Sequence, residues 1–154
     1  MTTDNKHDLL QWSDEFSVGV PGIDDQHRTL FDLVNKIHAA ILEHKGTAAC
    51  TEVLNELVNY TRIHFTVEEC IMQITEFPGY EQHCALHHEL VHDVVVLQEK
   101  IHSGKAAISF ELLQFLRNWL TKHILGEDMK YADFFAAGGD DSPHKPKKPW
   151  WKFW

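Results

Sequence analysis

The sequence predicts an all-α fold: an antiparallel up-down-up-down four-helix bundle with an irregular N-terminal lead-in and a flexible C-terminal tail. Three observations carry this expectation. Four long stretches repeat apolar residues every three or four positions, short Gly- or Pro-containing breaks separate them, and no stretch of comparable length alternates as a strand would. With 154 residues, 44% of them hydrophobic, the chain can build one domain around its own core.

The stretch before residue 24 carries Trp12, Phe16, Gly19, Pro21 and Gly22, the mark of a packed but irregular lead-in. The first helix is expected from Asp24, with Asp24 or Asp25 as its cap. Its stripe is His27, Leu30, Phe31, Val34, Ile37 and Ile41, and the break falls around Gly46. The second helix shows Leu54, Leu57, Val58, Thr61, His64, Phe65 and Glu68 on one face. The run FPGY at 77–80 stops it and forces a turn. The third carries His83, His87, Leu90, Val94, Leu97 and Ile101, closing at Gly104. The fourth starts from Ser109, an N-cap type, with Leu113, Leu116, Leu120 and His123 in register. The bundle is expected over residues 1–136. Residues 137–154 change character to Gly, Pro, Lys and late aromatics, as suits a tail outside the domain.

A formal charge of −9 argues against nucleic acid as the main partner, since a phosphate backbone needs a basic face. The start, MTTDNKHDLL, lacks the apolar segment of a secretory signal. No apolar run approaches the ~20 residues of a membrane span. Cys50, Cys70 and Cys84 are odd in number and without framework spacing, which fits reduced thiols in a cytoplasmic setting.

The anomaly is twelve histidines. His64 and Glu68 are i,i+4, as are His83 and His87. On a helix each such pair is separated by only about 40°, so both side chains reach one point. His27 and His123 lie on the inner stripes of the first and fourth helices. In an up-down-up-down bundle the starts of helices one and three share a pole with the ends of two and four, so all these residues converge. A lone inward histidine is more often a satisfied core residue. Five unpaired buried imidazoles from four helices would be costly, and metal coordination offsets that cost. His88 and His92 are also i,i+4 but sit off the stripe, on the surface. His38 shares the face of His27 yet lies about 16 Å along the axis. His7, His44, His102 and His144 have no convergent partner.

Five histidines and at least one acid exceed the needs of one tetrahedral zinc, and carboxylates bridge metal pairs well. Imidazole with carboxylate suits iron, and the cysteines offer no iron–sulfur frame. A di-iron centre is the reading that results. Imidazole predominates here over the carboxylate-rich sets of ferritin-like oxidases. Fewer anions favour the ferrous state and hence reversible binding over substrate oxidation. Phe65, Trp119, Leu120 and Ile124 would crowd such a centre with apolar bulk, although each is equally good as ordinary core. One choice stays open on periodicity: Glu127 is the i,i+4 partner of His123, whereas Asp128, at i+5, falls about 140° away on a regular helix.

The runs GIDDQH, HFTVEE, HCALH and HILGED stand in the order and separation of the ligand motifs of the hemerythrin family, which this sequence resembles over residues 10–136, most closely in its single-domain bacterial type. The resemblance implies two non-heme iron ions (Fe2+/Fe3+) joined by an oxo or hydroxo bridge. It implies that His83, His87 and His123 hold one iron and His27 and His64 the other, with Glu68 and Asp128 bridging. It selects Asp128 over Glu127, and a local widening of the helix near Gly126 would help that residue reach the metals. The function implied is reversible dioxygen binding for storage, transport or delivery to oxygen-consuming enzymes, not enzymatic turnover. The alternatives are an oxygen or redox sensor, or a slow di-iron enzyme acting on peroxide or nitric oxide. Outside the resemblance, KPKKPWWKFW pairs lysines with aromatics, a composition suited to docking at an anionic membrane surface near a membrane oxidase.

Overall fold

The computed structural model describes residues 8–138, so the Lys- and Trp-rich run of the tail lies outside the described residues. After a 3-10 turn at Asp14–Phe16 come α1 (Pro21–Leu42), α2 (Thr47–Ile74), α3 (Tyr80–His102) and α4 (Phe110–Lys122). A π-helical turn, His123–Asp128, then leads directly into α5 (Met129–Ala136). Cross-helix contacts fix the antiparallel order of α2 and α3: Asn55 meets Gln98 at one end and Glu69 meets His87 toward the other.

The breaks follow local chemistry. Ser109 caps α4 by accepting from the Leu112 N–H at 3.4 Å. Gly104, at φ +73°, closes α3, and the Lys105 N–H turns back to the Lys100 carbonyl at 2.8 Å. The break after α1 holds two residues at positive φ, His44 at +52° and Gly46 at +87°, the second being the glycine that the sequence suggested.

One local expectation is corrected. Helix α1 begins at Pro21, which supplies a preset φ at the first helical turn, and not at Asp24. Asp24 is buried inside the first turn and fastens the lead-in. It accepts from the Val18 N–H at 2.8 Å and from the Ser17 hydroxyl at 2.6 Å. Asp25 is exposed and pairs with Arg28.

Two apolar clusters fill the interior. The larger includes Leu30, Val34 and Ile37 of α1, Leu54 and Leu57 of α2, Val94 and Ile101 of α3, and Leu113 and Leu116 of α4. The smaller gathers Val18, Val20, Ile23, Met72, Tyr131 and Phe135. The inward histidines and acids fall between these two sets, as His27 does between Ile23 and Leu30 on α1 and Glu68 between Phe65 and Met72 on α2, so a polar layer is sandwiched between hydrocarbon layers.

Asp24→Ala strands the buried Val18 amide. It should lower unfolding stability by about 1–3 kcal/mol in urea titration, while Asp25→Ala should stay within about 0.5 kcal/mol of the parent.

Candidate metal centre

The polar layer contains His27 from α1, His64 and Glu68 from α2, His83 and His87 from α3, and His123 and Asp128 from the π turn, every one buried. The i,i+4 spacing brings His64 onto Glu68 and His83 onto His87, as helix geometry requires. Asp128 reaches the layer because the π turn adds a residue to the helical circuit. A five-residue step then returns to the same face, whereas on an α-helix it would not. Glu127 is turned outward and holds Lys130 at 2.7 Å. His88 and His92 are exposed, and His38 lies beside Phe110.

Within the layer the ligand-type atoms form two groups, each with all its members within 4.8 Å of one another. One is His83, His87 and His123 with Glu68 and Asp128, and the other is His27 and His64 with the same two acids. The carboxylates divide their oxygens between the groups. Glu68 turns Oε1 toward His64 at 3.4 Å and His27 at 3.5 Å, and Oε2 toward His87 at 3.3 Å. Asp128 turns Oδ2 toward His27 at 3.2 Å, and Oδ1 toward His123 at 3.0 Å and His83 at 3.1 Å.

These residues fit a pair of metal ions. The Nε2 atoms of His27 and His64 lie 3.1 Å apart, and those of His87 and His123 are also 3.1 Å apart. Two ligand atoms held about 2.1 Å from one ion at a right angle are about 3 Å from each other. Glu68 Oε2, both Asp128 oxygens and His83 Nε2 are buried without a hydrogen-bond partner, so their short approaches lack the alignment of N–H···O bonds. Such atoms are costly unless a cation stands between them.

The electrostatics agree. Burial pushes both carboxyls up, and Asp128 pushes Glu68 up further, but the surrounding imidazoles hold Glu68 below its ordinary range and Asp128 well below its own. Burial pulls His27 down, yet Asp128 and Glu68 outweigh it and raise the ring to about 9. His123 is raised by Asp128 against the same burial. His64 goes the other way, to about 4, because burial dominates the attraction of Glu68 and the charge of His27 adds to it. Protons and metal ions therefore compete for the same imidazoles.

Around this layer stand groups that the sequence reading did not single out. Tyr131 donates to Glu68 Oε1 at 2.5 Å, and burial with two nearby carboxylates keeps its phenol protonated. Gln26 Oε1 accepts from His64 Nδ1 at 2.7 Å, and Glu69 Oε1 from His87 Nδ1 at 2.9 Å. On the side of the larger apolar cluster Phe65 stacks on His87, with ring centroids 3.6 Å apart and planes within 4°. Trp119, Leu120 and Ile124 complete that wall, all buried.

A helical bundle that encloses five imidazoles around two shared carboxylates defines a cation-binding helical protein. Its family follows from comparison: the model of the hemerythrin HHE cation binding domain matches residues 18–135. Bacteriohemerythrin of Stenotrophomonas maltophilia is 36% identical over 129 residues, which cover 84% of this chain and 83% of the relative. Bacteriohemerythrin of Methylococcus capsulatus is 35% identical over 133 residues, covering 84% and 98%. A crystal structure of wild-type hemerythrin superimposes with a TM-score of 0.77 at 35% identity, covering 81% of this chain and 96% of that one. The chain belongs to the hemerythrin family.

The shifted groups predict how the metal-free protein responds to pH. His27 and His123 titrate higher folded than unfolded, so their contribution is complete below about pH 6.5 and is lost as pH rises, for His27 through about 9. His64 titrates lower folded, so it opposes folding as pH falls from 6.5 toward 4. Glu68 and Asp128 contribute above the ordinary carboxylate range and lose that contribution in acid. Thermal unfolding in chelator should give its highest midpoint near pH 6–7, falling on both sides. Saturating metal should abolish the alkaline fall.

Proposed function

We propose that this chain binds dioxygen reversibly at two non-heme iron ions joined by an oxo or hydroxo bridge, for storage, transport or delivery to oxygen-consuming enzymes, without catalytic turnover. The observation that carries the reading is the division of Glu68 and Asp128, one oxygen of each toward each imidazole group, in a chain of the hemerythrin family. His83, His87 and His123 would hold one iron and His27 and His64 the other, with Glu68 and Asp128 across both. Iron held there would supply the electrons for reversible oxygen binding.

The protein's own part is mostly exclusion and orientation. The three-histidine group offers one imidazole more than its neighbour, so an ion held by His27 and His64 would be the one with room for an incoming ligand. Phe65, Trp119, Leu120 and Ile124 form an oxygen pocket wall that keeps water out of the layer. None of these four carries a carboxyl or imidazole to feed protons to a bound ligand, which favours carriage over reduction. Tyr131 holds Glu68 in place through Oε1.

The three cysteines are all free thiols, which supports a cytoplasmic location. Among the described residues no helix is long and apolar enough to cross a membrane. The run KPKKPWWKFW remains a proposed membrane-surface contact on composition alone. Full-length protein should co-sediment with anionic vesicles while a 1–139 truncation stays in solution; equal behaviour of the two removes the idea.

Protein loaded anaerobically with ferrous iron should hold two irons per chain. It should gain an absorption band with oxygen that vanishes under argon over repeated cycles. Asp128→Ala should retain at most one iron per chain and lose the band, and Glu127→Ala should keep both. Iron well short of two per chain, or a band that appears once and does not reverse, overturns the reading.

A further inference from the structure

Two of the five imidazoles are backed by a side-chain acceptor on the ring nitrogen that faces away from the cluster, and the two acceptors differ in charge. His87 Nδ1 meets the carboxylate of Glu69 at 2.9 Å. His64 Nδ1 meets the neutral amide of Gln26 at 2.7 Å. Each contact crosses a helix interface, Glu69 from α2 to α3 and Gln26 from α1 to α2. Each acceptor also neighbours a cluster residue in sequence, Glu69 beside Glu68 and Gln26 beside His27. One backed imidazole falls in each group: His87 in the three-histidine group and His64 in the two-histidine group.

An acceptor on Nδ1–H fixes the tautomer, so that the Nε2 lone pair faces the cluster. A carboxylate makes the stronger, charge-assisted hydrogen bond and pushes electron density through the ring toward Nε2. Glu68 and Asp128 are shared, so they cannot tell the two groups apart. The number of imidazoles does, and the backing residues add to that difference.

Resting on the two-metal reading above, we propose that Glu69 and Gln26 are positioning residues that grade the two pockets. Glu69 widens the lead that the third imidazole already gives the three-histidine pocket and so makes it the first-filled one, and the neutral Gln26 adds less to the two-histidine pocket. The arrangement places the stronger hold where the pocket is crowded with imidazoles and the looser one where an incoming ligand would have room.

Co2+ titration of the metal-free protein, followed by visible absorption and calorimetry, tests this. The parent should bind two Co2+ per chain with unequal constants, and with one equivalent added the His87 N–H should show the paramagnetic NMR shift. Glu69→Gln, which keeps an acceptor oxygen but removes its charge, should weaken the tighter constant about 10- to 100-fold and leave the weaker one nearly unchanged. Gln26→Glu should strengthen the weaker constant and narrow the gap. Neither change should move the unfolding midpoint of the metal-free protein, which a purely structural tie would lower. If the parent binds two Co2+ but both variants keep its constants, or both constants fall together with the midpoint, the grading is wrong and the two-metal reading stands. If the parent itself binds fewer than two, the two-metal reading fails and the grading with it.

Discussion

Glu68 and Asp128 are enclosed in the middle of the bundle, with five imidazoles as their neighbours and, among the described residues, no lysine or arginine in contact. Two buried carboxylates that close repel each other and have lost their water, so positive charge has to come from somewhere. The imidazoles supply some of it as protons, hence the upward shift of His27 and His123. They cannot all do so, and His64 is driven the opposite way. Divalent cations would meet the demand of the whole layer at once, with neutral imidazoles as their ligands. The rest of the architecture serves that requirement. Apolar clusters above and below keep water from screening the layer, and four helices are needed because no single helix can present seven donors to one place.

Much of this was legible in the residues, for a simple reason: an α-helix turns spacing into direction. The i,i+4 pairs His64/Glu68 and His83/His87 had to share a face, and topology then placed His27 and His123 at the same level. The same rule would have chosen Glu127 over Asp128. It fails there because the six residues from His123 to Asp128 wind as a π-helix, so the outward residue is Glu127 and the inward one Asp128. Nothing in the periodicity of HILGED announces the wider turn; only the order of motifs shared with the hemerythrin family pointed to it. A glycine within the turn, Gly126, is exposed and meets no obstacle, which is compatible with the insertion but does not by itself locate it.

The supporting contacts were harder to read because they depend on tertiary placement. Asp24 has the composition of a helix cap but ties down Val18 and Ser17 from within the helix, since Pro21 begins the helix earlier. Tyr131 looks like an ordinary aromatic until α5 continues from the π turn and carries its hydroxyl to Glu68. Gln26 and Glu69 sit beside inward residues in sequence, one helical step of about 100° away. That step aims them at the neighbouring helix instead of the cluster, where they meet the far side of an imidazole. A sequence rule that seeks ligands on the inner stripe passes over all four.

On the proposed reading Glu68 and Asp128 would each span two metal ions, one within each imidazole group. Anomalous diffraction from crystals of the iron-loaded protein tests it most directly. Two peaks per chain are expected, one among His83, His87 and His123 and one beside His27 and His64, with an oxygen of each carboxylate on either ion. A single peak shared by both groups, or strong density only at the exposed pair His88 and His92, would contradict it.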